Sequence, residues 1–291
     1  MSDIVTTIWR STIQHGPHND RVYLMKLAED NFEQLPGELY RIATANGYSK
    51  IFAKIPEYAI DAFLKEDYLV EAYVPGLYDG RQDAYFLARY LTERRRRIEI
   101  AAVLDEVLAV AKSRAQQNPE FVLSPKYRFK VLEQEDAEAA AGLYTKMFAT
   151  YPFPIFDPEY IAKAMEHDVI YFGIFSAGSL AAVASAEIDV AARNVEMTDF
   201  AALSEHSGRG LGVYLLYAME EAMRKHNIVT AYTIARASSP QINITFARMG
   251  YAYAGTLINN TNIDGRLESM NVWYKRLQNH NPQSRDSVYS P

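Results

Sequence analysis

Cysteine is absent from the 291 residues. Its absence excludes disulfides, a thiol nucleophile and every zinc or iron–sulfur site that needs a thiolate. No run of about 18 apolar residues occurs, so no membrane-spanning helix is expected. A basic excess is missing too. Lys and Arg number 30 against 36 Asp and Glu, a net charge of −6, which is the wrong sign for a general nucleic-acid binder. Met1 to Arg10 lacks the basic-then-apolar order of a signal peptide, so the cytoplasm is the expected compartment. What is present is ordinary globular material, 49% hydrophobic and 23% charged, enough for a core in each of two domains. Tyrosine is plentiful at 21 residues, which matters for choosing between proton donors.

Periodicity divides the chain into a small α/β unit over 1–92, a linker helix over 93–122, a second α/β domain over 123–277 and a polar, disordered tail over 278–291. In the first unit, strands are expected at 21–25, 49–55 and 68–74. Helices are expected at 36–46, closed by Gly47, at 56–64 and at 83–95. Arg94-Arg95-Arg96-Arg97 then opens the linker. Such a run can bind phosphate, but with Glu93 and Glu99 nearby it reads as a solvated helix face. The second domain reads as a strand at 127–132, helices at 135–150 and 159–166, and strands at 169–175, 180–190 and 194–203. A helix at 211–226, a strand at 229–235, a helix at 240–249 and two last strands follow. Between the first two of those helices lies a stiff loop, Tyr151-Pro152-Phe153-Pro154.

One segment carries chemistry. A strand containing Glu196 and Asp199 ends near Leu203, and Ser207-Gly208-Arg209-Gly210-Leu211-Gly212-Val213 opens a helix at once. Glycines let the backbone approach a ligand closely, and the free N–H groups of a helix start attract an anion such as pyrophosphate. The Walker pattern GxxxxGK[ST] is absent. The dinucleotide pattern GxGxxG fails, because Val213 or Leu215 stands where its last glycine belongs. The loop resembles the coenzyme A loop of GNAT-type acetyltransferases, Gln/Arg-x-x-Gly-x-Gly/Ala. Ser207 replaces the first Gln or Arg, which removes a side chain and leaves the backbone cradle intact. The order of elements over 125–276 and the late Arg248-Met249-Gly250-Tyr251 also resemble that family.

A closer resemblance spans nearly the whole chain. Ser11-Thr12-Ile13-Gln14-His15-Gly16-Pro17-His18-Asn19-Asp20-Arg21, the Tyr151-Pro152-Phe153-Pro154 loop, Leu257-Ile258-Asn259-Asn260-Thr261-Asn262-Ile263 and Glu268-Ser269-Met270-Asn271-Val272-Trp273-Tyr274 are similar to the β-lysine N6-acetyltransferase family. The resemblance implies a C-terminal GNAT fold, an α/β (α+β) domain with a mixed, mostly antiparallel sheet flanked by helices. It further implies acetyl transfer from acetyl-CoA, without a metal, to the N6 amine of β-lysine, giving the compatible solute N6-acetyl-β-lysine. A lysine 2,3-aminomutase would be the metabolic partner. Residues 1–92 then read as a degenerate GNAT-like half-domain that shapes the acceptor pocket or a homodimer. The competing functions are acetylation of lysine, a polyamine or a protein lysine, and a catalytically inactive acetyl-CoA-binding protein.

The chemistry assigns roles. An ammonium of pKa about 10.4 must lose a proton before it attacks a thioester. Glu196 is the leading base. It precedes Ser207 by 11 positions, the spacing of the glutamate base in part of the GNAT family. Asp199 is the second candidate, on the opposite face of a regular strand unless a bulge turns one of them inward. A backbone N–H near Leu203 is the expected donor to the acyl oxygen, and Asn243 is expected beside the pantetheine arm. Many GNAT enzymes place a tyrosine acid where this chain has Phe246, so Tyr251 or Tyr253 would have to replace it, or a thiolate of pKa near about 8.5 leaves unaided. Asp157 is expected to take the acceptor's second ammonium, and Asn259, Asn260 and Asn262 its carboxylate, although asparagines in a row also serve turns. His15 and His18 lack a third metal ligand and read as part of a surface turn.

Overall fold

The computed structural model describes residues 3–115 and 121–277. The first half of the chain forms β1 (Ile4–Ile8), β2 (Ser11–Gly16), β3 (Arg21–Lys26), α1 (Leu35–Ala45), β4 (Lys50–Pro56), α2 (Ile60–Leu64), β5 (Leu69–Tyr78) and β6 (Gln82–Tyr90). Helices α3 (Glu93–Arg96) and α4 (Ala101–Ser113) lead to the second half. That half contains β7 (Tyr127–Val131), α5 (Ala137–Met147), α6 (Pro158–Met165), β8 (Val169–Ser176), β9 (Ser179–Asp189), β10 (Asn194–Ala202), α7 (Leu211–Lys225), β11 (Thr230–Arg236), α8 (Pro240–Arg248), β12 (Ala252–Ile263) and β13 (Arg266–Arg276). The tail over 278–291 and the linker residues 116–120 lie outside the described residues. No helix among the described residues is long and apolar enough to cross a membrane.

The thirteen strands among the described residues share one sheet, in the order β1-β2-β3-β4-β6-β5-β12-β13-β11-β10-β9-β8-β7. The two halves repeat one topology. In each, a strand and its parallel neighbour are joined by a helix, and the last strand of that half inserts between the parallel pair and the strand before it: β3-β4-β6-β5 in the first half, β10-β11-β13-β12 in the second. A parallel pair needs a crossover connection, and α1 and α7 supply it. The halves meet through the equivalent strands β5 and β12, where Gly255 lies opposite Ala72. Gly255 has φ of +150°, and a Cβ there would sit 2.1 Å from the Glu71 carbonyl oxygen, so only glycine allows this contact.

Alternation in β3, β4 and β6 sorts side chains to two faces. Val22, Leu24, Ile51, Ala53 and Leu87 pack with Leu39 of α1 and Phe63 of α2. Tyr23, Phe52 and Phe86 point the other way and join Tyr232, Met270 and Val272 of the second half in a shared core. The first half therefore shares apolar surface with the second, and the cavity described below opens on that shared face.

Three expectations need correction. Residues 83–95 are largely the strand β6, not a helix. Ala84, Leu87 and Ala88 favour helix intrinsically, but β6 lies between β4 and β5, where burial on both faces hides the alternation that marks a strand. The linker is two helices rather than one, because Arg97 is extended with ψ of 126°. The arginine run is not a wholly solvated face: Arg95 is 3% exposed. Its guanidinium donates to the carbonyls of Asn19 (2.9 Å), Asp20 (3.2 Å) and Asn259 (2.7 Å) and pairs with Asp20 at 3.3 Å.

Candidate active site

The glycine loop forms one side of the site. After β10 the chain makes a single helical turn at Ser204–His206, and Gly208 and Gly210 take φ of +71° and +74°. Gly210 is the N-cap of α7 and provides no side-chain cap. The first-turn N–H groups of a helix have no partner within it, so those of Leu211, Gly212 and Val213 are presented for an anion. A cavity of about 580 Å³ runs past Ser207 to Val213, Phe200 to Ala202 of β10, and Ile242, Thr245 and Arg248 of α8. The glycines leave room there: no atom lies within 4 Å of a Cβ built on Gly208 or Gly210. Gly208, Arg209, Gly210, Leu211, Gly212 and Val213 are thus brought together along a groove suited to a pyrophosphate and a pantetheine arm.

Two expected coenzyme contacts fall outside that groove. The Leu203 N–H already donates to the Ala181 carbonyl at 2.9 Å, so it is not free to serve as an oxyanion donor. Asn243 is fully buried. Its Nδ2 donates to the carbonyls of Arg236 (2.9 Å) and Ser239 (2.7 Å), and its Oδ1 accepts from Asn271 Nδ2 (2.8 Å) and Trp273 Nε1 (2.9 Å). All its hydrogen-bonding capacity goes to tying α8 to β11 and β13.

Across β10 lies a second cavity of about 540 Å³, lined from both halves of the chain. It opens because β10 and β11 pair only over Asn194–Glu196 and Thr230–Tyr232 and then part. The β10 register slips against β9 between Thr198 and Ala201, with Asp199 at φ of +55°. This bulge brings Glu196 and Asp199, which a regular strand would place on opposite faces, into the same cavity. Asp199 spends both oxygens: Oδ1 accepts from Tyr151 Oη at 2.7 Å and Oδ2 from Ser185 Oγ at 2.6 Å. Glu196 Oε2 accepts from Tyr232 Oη at 2.8 Å, which in turn accepts from Lys54 Nζ at 2.7 Å. Glu196 Oε1 makes no hydrogen bond among the described residues.

Sequence reasoning missed a third carboxylate, Glu187, which lies directly across β9 from Glu196. Like charges in register repel, and the available signal was an acid directly after the mostly small and apolar run Leu180–Ala186. Glu187 is wetted by the cavity rather than packed away. Enclosure by protein, then repulsion from Glu196 and Asp199, raises its pKa. Desolvation raises those of Glu196 and Asp199, opposed by Lys54 and Tyr232 at Glu196 and by Ser185 and Tyr151 at Asp199. The cavity therefore suits a cationic guest and holds carboxylates tuned upward as bases. Lys54 and Arg21, both from the first half, were also missed, because nothing local in sequence marks which face of β3 or β4 meets a distant cavity.

Among the expected acceptor contacts, Asn260 lines this cavity. Asp157 does not: it is exposed and caps α6 by accepting the Glu159 N–H at 2.9 Å. Asn259 donates to the carbonyls of Arg95 (2.8 Å) and Arg97 (2.9 Å). Asn262 donates to the His18 carbonyl at 2.9 Å, and its N–H donates to Asn19 Oδ1 at 2.8 Å. These two amides fasten β12 to the first half, so the asparagine run is mainly architecture. His15 Nδ1 contacts Tyr48 Oη at 3.2 Å. Phe246 is fully buried between Phe200 and Tyr251. Neither Tyr251 nor Tyr253 lines either of these two cavities.

A coenzyme groove and an acid-lined pocket on either side of one bulged strand place the molecule among the GNAT acetyltransferases, and the model of the Acetyltransferase (GNAT) family matches residues 134–251. The chain is an N-acetyltransferase of that class. It is 41% identical over 269 residues to the β-lysine N(6)-acetyltransferase of Methanococcus maripaludis, covering 91% of this chain and 96% of that one. The enzyme of the same name from Methanosarcina mazei is 37% identical over 151 residues, 52% of this chain and 56% of that one. The N-acetyltransferase YodP of Bacillus subtilis is 31% identical over 92% of this chain and 96% of its own. The chain belongs to the β-lysine N6-acetyltransferase family.

Proposed function

We propose that the protein transfers the acetyl group of acetyl-CoA to the N6 amine of β-lysine and so makes N6-acetyl-β-lysine, a compatible solute. The observation that carries the mechanism is the unengaged Oε1 of Glu196 in a cavity of three carboxylates. The coenzyme supplies an acetyl group activated as a thioester. Leu211, Gly212 and Val213 hold its phosphates through backbone N–H groups, and Arg209 adds charge at the mouth of the groove. Glu187, Glu196 and Asp199 attract the acceptor's ammonium. Glu196 takes a proton from it, and the hydroxyl of Tyr232, backed by Lys54, steadies the carboxylate that does so. Asp199, locked by Tyr151 and Ser185, keeps the bulge in place and adds negative charge near the amine. The leaving thiolate departs without a tyrosine acid, since Phe246 occupies that position.

The test is release of CoA with β-lysine, α-lysine, spermidine and no acceptor in parallel, with products identified by mass spectrometry. Acetylation of β-lysine at N6, faster than of the others, is the expected result. Preference for spermidine would overturn the acceptor. Binding of acetyl-CoA without turnover of any of these amines would overturn β-lysine as the acceptor.

A further inference from the structure

Arg21 lies on β3, in the half of the chain that contributes nothing to the coenzyme groove, yet it lines the acceptor cavity. It is 3% exposed, and its guanidinium lies over the rings of Tyr23 and Phe52 at 5.0 and 5.7 Å. Nη1 donates to the Asn260 carbonyl at 2.5 Å and to Thr261 Oγ1 at 3.2 Å. The other edge, Nε with Nη2, is the fork that grips a carboxylate through two parallel bonds. Here Nε is buried with no partner, and Nη2 has only a long contact to Gln14 Oε1 at 3.4 Å. The neighbouring Asn260 also keeps a buried Oδ1 without a partner.

A buried cation without a counter-charge is costly. The other buried cations of this half avoid that cost: Lys50 pairs with Glu71 at 2.9 Å and Arg95 with Asp20 at 3.3 Å. Arg21 forms no salt bridge among the described residues. Burial lowers its pKa to about 10, so it stays charged at neutral pH. Tyr23, whose ring lies under the Arg21 guanidinium, lines the same cavity as Glu196. The cavity is thus lined by a guanidinium with an unpartnered Nε as well as by the carboxylates of Glu187, Glu196 and Asp199.

We propose that Arg21 is the receptor for a carboxylate at the end of the acceptor remote from the amine that is acetylated, so that the first half of the chain selects an amino acid over a polyamine. The proposal rests on the reading of this cavity as the acceptor site, with β-lysine as its guest. Arg21 grips the carboxylate at Nε and Nη2 in place of Gln14, and Asn260 Oδ1 accepts from the adjacent ammonium.

The experiment compares kcat/KM for β-lysine and for 1,4-diaminopentane, which has the same two amines and no carboxylate, in the parent, Arg21→Met and Arg21→Lys. The parent is expected to prefer β-lysine, and the ratio of the two values to fall about 100-fold in Arg21→Met, the loss typical of removing one partner of a buried charge pair. Arg21→Lys keeps the charge and loses the fork, so its ratio falls by less, through KM. An unchanged ratio in a folded Arg21→Met protein overturns the proposal. Should that variant fail to fold, judged by its thermal melt, an unchanged ratio in Arg21→Lys does the same. A parent that acetylates 1,4-diaminopentane as readily as β-lysine refutes both the amino-acid acceptor and the role of Arg21. A selective parent with an equally selective variant refutes only the latter.

Discussion

Glu196 and Asp199 sit three residues apart in one cavity, yet their hydrogen bonds make them different tools. Glu196→Gln keeps the size and the Tyr232 contact and removes the base. Its kcat is expected to fall by about 10²–10⁴-fold with the affinity for acetyl-CoA held, and equal rates in variant and parent would defeat the assignment. Because desolvation holds the Glu196 pKa above the ordinary carboxylate value, kcat/KM should rise with pH along a limb displaced upward from normal glutamate titration. That limb should vanish in Glu196→Gln. The same shifts bear on stability. A carboxyl whose pKa is raised on folding favours the folded state when protonated; that contribution is complete below the unfolded carboxylate pKa and lost as pH rises through the folded one. The ligand-free protein should therefore lose this stability between acid and neutral pH, and Glu187→Gln should flatten the slope of melting temperature against pH.

At the scale of elements, the start of α7 and the packing of α8 make opposite predictions about the coenzyme. Gly210 occupies the left-handed region as N-cap, where a Cβ costs about 1–2 kcal/mol. Gly210→Ala should tilt the first-turn N–H groups and weaken acetyl-CoA binding, read by titration calorimetry, more than it slows turnover at saturating donor. Asn243→Ala leaves the Trp273 and Asn271 donors unpaired and removes one of the two hydrogen bonds that the Arg236 and Ser239 carbonyls each accept. Its expected cost is about 1–3 kcal/mol in urea unfolding, with little change in acetyl-CoA affinity, whereas a large loss of affinity with unchanged stability would restore Asn243 to the coenzyme site.

At the scale of the molecule, two halves of repeated topology meet in one sheet, and residues of both line one cavity. We read residues 1–92 as a GNAT-like half-domain that has kept the sheet, turned its β5 edge onto the catalytic domain and offers Arg21 and Lys54 to the pocket. Gly255 is where β12 meets β5 at that junction, with no room for a Cβ. Gly255→Val would force a side chain into the Glu71 carbonyl and should separate β5 from β12. The expected result is a lower melting temperature and a larger rise in KM for the acceptor than for acetyl-CoA. Equal effects on the two substrates would show that the junction does not shape the acceptor pocket.

The glycine loop, its helix and Glu196 were legible in the chain because each is a local device. A turn that needs positive φ, a helix start and a strand acid at fixed spacing are written in consecutive residues. Asp199 was legible only as an alternative, since the bulge that turns it inward depends on the partner strand. The strand β6 was misread because its surroundings on both faces, not its own pattern, decide its conformation. Asn243, Asp157, Asn259 and Asn262 have the right chemistry for a ligand, and the tertiary structure assigns their hydrogen bonds to the protein itself. Glu187, Lys54 and Arg21 became site residues only when β9, β4 and β3 came together around one cavity. Local sequence determines which backbone can cradle a phosphate. Which side chains share a cavity is set by the pairing of strands far apart in the chain, through register and burial that no single segment encodes.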